Sequence, residues 1–147
     1  MHILVATDAD FVLDEIVAAF AGPDTSFTVC RNGRDVSRVV AARTPDVAIL
    51  DLQIGSMGGM AVTMALRLDE SSGLLPHVPV LMLLDRRADL HLAKRSAADG
   101  WIVKPLDALT LQRADDAILH PPAVAQADPA ADDETTESAE EEPVAAG

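Results

Sequence analysis

Residues 45–60 read Pro-Asp-Val-Ala-Ile-Leu-Asp-Leu-Gln-Ile-Gly-Ser-Met-Gly-Gly-Met. Val47–Leu50 is an unbroken apolar run, the pattern of a central parallel strand covered on both faces. The run stops at a carboxylate, Asp51. A loop carrying Gly55, Gly58 and Gly59 follows, and a helical pattern then spans about Met60 to Asp69. The segment is thus a strand that carries an acid to its carboxyl end and turns through glycines into a helix.

The same unit recurs on both sides. Upstream, Ile3–Ala6 is a second run of strand length, and Val12, Ile16, Ala19 and Phe20 then repeat at helical spacing until Gly22-Pro23. Ser26–Cys30 alternates and is β-branched, as a half-buried edge strand should be. Asn32-Gly33 is a turn, and Val36, Val39 and Val40 form a helix stripe ending before Pro45. Downstream, a polar connection from Ser71 to Val78 leads to a strand at Val80–Leu84, opened by Pro79 where a missing N–H does least harm. Leu90, Ala93 and Ala97 make a stripe, Trp101–Val103 a fifth strand, and Asp107 caps a last helix with Leu111, Ala114 and Ile118 facing inward. Five strand–helix repeats predict an α/β fold, a flavodoxin-like (βα)5 doubly wound parallel sheet of strand order 2-1-3-4-5.

Composition narrows the class. The chain has 147 residues, 49% of them apolar but only 3% aromatic, so the core is aliphatic. Net charge is −13, yet eight acids and no base lie beyond His120, which leaves −5 on residues 1–120. Direct nucleic-acid binding is disfavoured, because phosphate contacts need a concentrated basic face. No apolar run approaches the roughly 20 residues that cross a bilayer, and the first residues lack the basic start of a secretory leader, so no membrane role and a cytoplasmic location are expected. Cys30 is alone and reads as a small buried hydrophobe. His2, His77, His91 and His120 share no ligand spacing, and Met57, Met60 and Met64 read as packing. Residues 121–147, rich in Pro, Ala, Asp and Glu, read as a disordered acidic tail reaching roughly 28 Å as a coil.

In the 2-1-3-4-5 order a crevice opens at the carboxyl ends of strands 1 and 3. Thr7, Asp8 and Asp10 follow the first of these strands and Asp51 ends the other. Two carboxylates about 4 Å apart repel by roughly 4 kcal/mol at an effective dielectric of 20, so the crevice needs counter-charge. Lys104, after strand 5, supplies one positive charge, and two carboxylates with a carbonyl and water suit Mg2+. Such a set can transfer phosphoryl groups: a carboxylate attacks phosphorus, the cations neutralise developing charge, and no other chemistry is required of the protein. Each acid taken singly reads as a turn residue or a helix cap, and Asp8 or Asp10 could cap the first helix.

These segments resemble the response-regulator receiver family of two-component systems. The resemblance runs through ILVATDAD, NGRDV, TPDVAILDLQIGSMGGM, VPVLMLL and DGWIVKPL, over nearly all of residues 2–120. It implies that Asp51 is the phosphoacceptor, that Asp8, Asp51 and the Gln53 carbonyl bind Mg2+, and that Lys104 contacts the phosphoryl group and precedes a cis bond to Pro105. It implies a histidine kinase as donor, and a target protein or a second copy bound through helix 4, strand 5 and helix 5. Residues 1–120 are then the receiver domain, and no separate enzymatic turnover is expected.

The chain departs from the family pattern at its switch positions. Thr7 stands where an acid is usual, with Asp10 as a partial substitute. Leu84 ends strand 4 where a Ser or Thr hydroxyl is usual, and a leucine donates no hydrogen bond. Trp101 occupies the aromatic position of strand 5. The expectation is an atypical receiver with weak or phosphorylation-independent signalling. Two other readings are weaker. ILVATDADFVL also resembles the first motif of haloacid-dehalogenase-like phosphatases, with Asp8 as nucleophile and Asp10 as general acid, but the further acidic pair of that family is missing. A flavodoxin-type cofactor carrier would need Ser, Thr and Gly after strand 1, where this chain is anionic. Arg86, Arg87, Lys94 and Arg95 cluster around helix 4; the acidic tail reads as a solubilising appendage, with the sharper alternative that it covers this basic patch.

Overall fold

The computed structural model describes residues 1–121; the expected acidic tail lies outside the described residues. Five strands, β1 (His2–Ala6), β2 (Ser26–Cys30), β3 (Val47–Asp51), β4 (Val80–Leu84) and β5 (Gly100–Val103), alternate with helices α1 (Asp10–Phe20), α2 (Val36–Ala42), α3 (Gly59–Ser71), α4 (Leu90–Arg95) and α5 (Ala108–Leu119). All strands pair parallel, in the order β2-β1-β3-β4-β5. The fold is the expected doubly wound sheet. No described helix is long and apolar enough to cross a membrane.

Period-two alternation sorts the apolar strands between two faces. Ile3, Val5, Val47, Ile49, Leu81 and Leu83 pack with Ile16 of α1 and Leu111 of α5. Leu4, Ala6, Ala48, Leu50 and Val80 point the other way, onto Val36 and Val40 of α2 and Val62 and Leu66 of α3. Met82 and Leu84 continue that face beneath Ala93 of α4. Each central strand is buried on both sides, which is why its sequence reads as a continuous apolar run.

Glycine has a steric role at two positions beside β3. A Cβ on Gly33 would lie 1.7 Å from the Met57 carbonyl oxygen, and one on Gly59 would lie 2.8 Å from that of Asp51. The glycines let the loop after β3 close against neighbouring backbone. At the opposite rim, Arg67 bridges Glu70 and Asp99 at 2.6 Å each, and His77 bonds both carboxylates. This network pins the polar connection between α3 and β4.

Three local expectations need correction. Ala97 does not extend the α4 stripe. The helix ends at Arg95, and Ala97 takes φ 64° while the N–H groups of Ala97 and Ala98 bond back to Lys94 and Ala93. That is a helix stop usually made by glycine, so alanine gave no warning. Neither Asp8 nor Asp10 caps α1; its N-cap is Ala9, whose N–H bonds the Thr7 hydroxyl. Met64, expected to pack, is half exposed. Asp107 does cap α5, accepting from the Thr110 N–H at 2.9 Å.

Asp115 is the anomaly of the core. It is buried on α5, and its Oδ1 has no hydrogen-bond partner among the described residues. Burial, with Asp116 and Asp46 nearby, pushes its carboxyl above the usual carboxylate range. A group raised in this way contributes fully below its unfolded value, and the contribution is lost as pH rises through the folded value. Asp115→Asn should therefore stabilise the fold at pH 7 by about 1 kcal/mol, a few degrees in Tm. The gain should shrink toward about pH 4, where the unfolded carboxyl also protonates. Thermal unfolding of both proteins across that range checks it; a gain that does not vary with pH would contradict the assignment.

Candidate functional site

Strand register assembles the site. Ala6 pairs with Leu50, so the next residues, Thr7 and Asp51, leave adjacent strands at the same level. Leu84 pairs with Val103, so Asp85 and Lys104 do likewise. All four residues gather at the carboxyl rim.

Asp51 is 2% exposed and fully engaged. Its Oδ1 accepts from Lys104 Nζ at 3.0 Å and from the Gln53 N–H at 3.2 Å. Its Oδ2 accepts from the Thr7 hydroxyl at 2.8 Å. Lys104 reaches in from the end of β5, and the Lys104–Pro105 peptide is cis, as the resemblance implied. The lysine also bonds Asp85 Oδ1 at 2.8 Å, closer than to Asp51. Burial opposes its charge, but the hydrogen bonds to Asp85 and Asp51 outweigh burial and raise the ammonium above its ordinary value. Charge-assisted bonds of this kind hold a side chain in one place.

The remaining expected residues fall into two groups. Asp8 stays at the rim, where its Oδ2 accepts from the Gly55 N–H at 3.0 Å and so ties the end of β1 to the loop after β3. Gln53 lies in that loop, and no described donor bonds its carbonyl. Asp10 turns away: its carboxylate pairs with Arg31 at 2.8 Å, beyond the end of β2, and is exposed. It therefore does not stand in for the acid missing at Thr7. Leu84 is fully buried and packs with Leu52, Met82 and Ala93. Trp101 is 36% exposed, with Lys94 Nζ 5.7 Å from its ring centre. Arg86 leaves the supposed basic patch and pairs with the buried Asp89.

Sequence reasoning missed Asp85 and undervalued Thr7. An acid after a strand reads as a solvated turn, and only the β4–β5 register shows that Asp85 stands beside Lys104. Thr7 reads as a lost charge, yet its hydroxyl is the closest partner of Asp51.

The model for the response regulator receiver domain matches residues 3–114. The chain belongs to that family. Among its relatives, the transcriptional regulatory protein CseB of Streptomyces avermitilis is 29% identical over 112 residues, which are 75% of this chain but 45% of CseB. This chain thus spans less than half of that regulator's length. Protein PilH of Pseudomonas aeruginosa is 25% identical over 118 residues, 80% of this chain and 97% of PilH. Among solved structures, the receiver domain of sensor histidine kinase PA1611 from Pseudomonas aeruginosa, with magnesium in its active-site cleft, superposes with a TM-score of 0.70 at 19% identity, covering 80% of this chain and 96% of that one. Receiver domains are signalling proteins rather than classical enzymes, and the phosphatase reading through Asp8 and Asp10 is left without support.

The ion pair makes a quantitative prediction. Lys104→Met leaves two carboxylates without their shared cation and should cost about 1–3 kcal/mol. Adding Asp51→Asn should restore part of that loss, a coupling that a double-mutant cycle by denaturant unfolding measures. Strict additivity of the two changes would contradict the geometry.

Proposed function

We propose that this receiver accepts a phosphoryl group on Asp51 from a histidine kinase, and that its response is weak because the relay is altered. The observation that carries the reading is the buried Asp51 carboxylate held by Lys104 at 3.0 Å. A carboxylate oxygen attacks phosphorus, a P–O bond forms, and the P–N bond to the donor histidine breaks, its electron pair leaving with the imidazole. Lys104 stabilises the phosphoryl oxygens and keeps its ammonium proton. Asp8, Asp51 and the Gln53 carbonyl offer the hard oxygen donors that suit Mg2+ with several waters retained. When bound, the metal supplies charge neutralisation at the transferring group.

Two local features support a muted switch. Leu84 cannot donate to a phosphoryl oxygen. Asp85 competes with that oxygen for Lys104. A charge-assisted hydrogen bond contributes about 1.5–3 kcal/mol, a large part of the few kcal/mol that separates two signalling states. The target, or a second copy of the chain, is placed on the face of α4, β5 and α5, where Trp101 lies. Should transfer to Asp51 be absent, the same face acts as a phosphorylation-independent binding module, a reading favoured by Leu84.

Acetyl phosphate with Mg2+, followed by intact-mass measurement, tests the assignment. One phosphoryl group should be gained slowly and lost in Asp51→Asn. Asp85→Asn should speed labelling about tenfold, the rate equivalent of roughly 1.4 kcal/mol. No mass gain in either active-pocket form would overturn the phosphoacceptor assignment.

A further inference from the structure

Between α4, β5 and α5 the surface opens into a groove of about 530 Å³, lined by Arg87, Leu90, Trp101, Ile102 and Arg113 among others. Its charged lining residues, Arg87 and Arg113, are both cationic, and it contains no acid. Lys94 stands over the Trp101 ring at the same wall, within cation–π range. The ion pairs of Lys and Arg among the described residues use Arg31, Arg38, Arg67, Arg86 and Lys104. Arg87, Lys94 and Arg113 take part in none of them. Among the described residues the groove therefore combines an exposed indole, an apolar floor and three cations outside any ion pair, Arg113 having only the longer-range field of Asp107.

The chain supplies the complementary segment. Beyond His120 come Asp128, Asp132, Asp133, Glu134, Glu137, Glu140, Glu141 and Glu142, with no base and no aromatic residue. That segment follows α5, which forms one wall of the groove. Arg113 lies about 9 Å along the helix from Leu119. The nine residues from Leu119 to Asp128 span at most about 30 Å, so Arg113 lies within the chain reach of the first carboxylate.

We propose that residues 122–147 occupy the α4–β5–α5 groove of their own chain, with carboxylates on Arg87, Lys94 and Arg113. They then compete with any partner that uses this face. One exposed ion pair contributes little, but several acting through one tether meet an effective concentration near millimolar. Such a contact is screened by salt. The proposal does not depend on phosphorylation of Asp51, so the two readings fail separately.

Trp101 is the only tryptophan of the chain, and its fluorescence reports the groove directly. In the full chain, acrylamide quenching should rise about twofold between about 20 mM and about 500 mM salt, as screening releases the segment. Neutralising the segment by Asp132→Asn, Asp133→Asn, Glu134→Gln, Glu140→Gln, Glu141→Gln and Glu142→Gln should give the high value already at low salt. Arg87→Ala with Arg113→Ala should do the same from the other side of the contact, with circular dichroism checking that the fold is retained. Quenching that ignores both salt and the neutralised segment would overturn the proposal. So would a low-salt protection that grows with protein concentration, because the occupant would then be a second copy.

Discussion

Lys104 is shared between two carboxylates at the carboxyl rim of the sheet, 3.0 Å from Asp51 and 2.8 Å from Asp85. A buried acid such as Asp51 is costly without compensation, and the ammonium, the Thr7 hydroxyl and the Gln53 N–H supply that compensation together. The constraint reaches through the fold. Four strands, β1, β3, β4 and β5, must end level with one another, which the parallel register provides. The loop after β3 must close tightly on its own backbone, which Gly59 permits.

The altered positions make sense within this arrangement. With Thr7 in place of an acid, the rim carries one negative charge fewer and Asp51 gains a direct neutral donor. With Leu84 in place of a hydroxyl residue, the end of β4 is fastened to the apolar layer beneath α4. Asp85 then gives the lysine a second anchor.

Much of the architecture was legible in the chain because its signals are local and repeated. Five apolar runs alternating with helical stripes gave the sheet order, and strand ends gave Asp51 and Lys104. The losses have physical reasons. Ala97 adopts a left-handed turn that alanine disfavours, so propensity pointed the wrong way. Asp10 turned to Arg31 because a long basic side chain at the end of β2 offered a partner that only the β1–β2 pairing reveals. Asp85 required the register of two strands separated by a helix. Cross-strand contacts of this kind are set by tertiary alignment, which composition and periodicity do not encode.

The central claim is that Lys104 is held by two carboxylates in a partly buried pocket. The chain has only two lysines, Lys94 and Lys104, so carbon-13 labelling at lysine Cε gives two resolvable titrations by NMR. The account predicts that Lys104 titrates above the 10.5 of an ordinary lysine, and that this elevation diminishes in both Asp51→Asn and Asp85→Asn. A Lys104 titration at or below that value, indifferent to both substitutions, would contradict it.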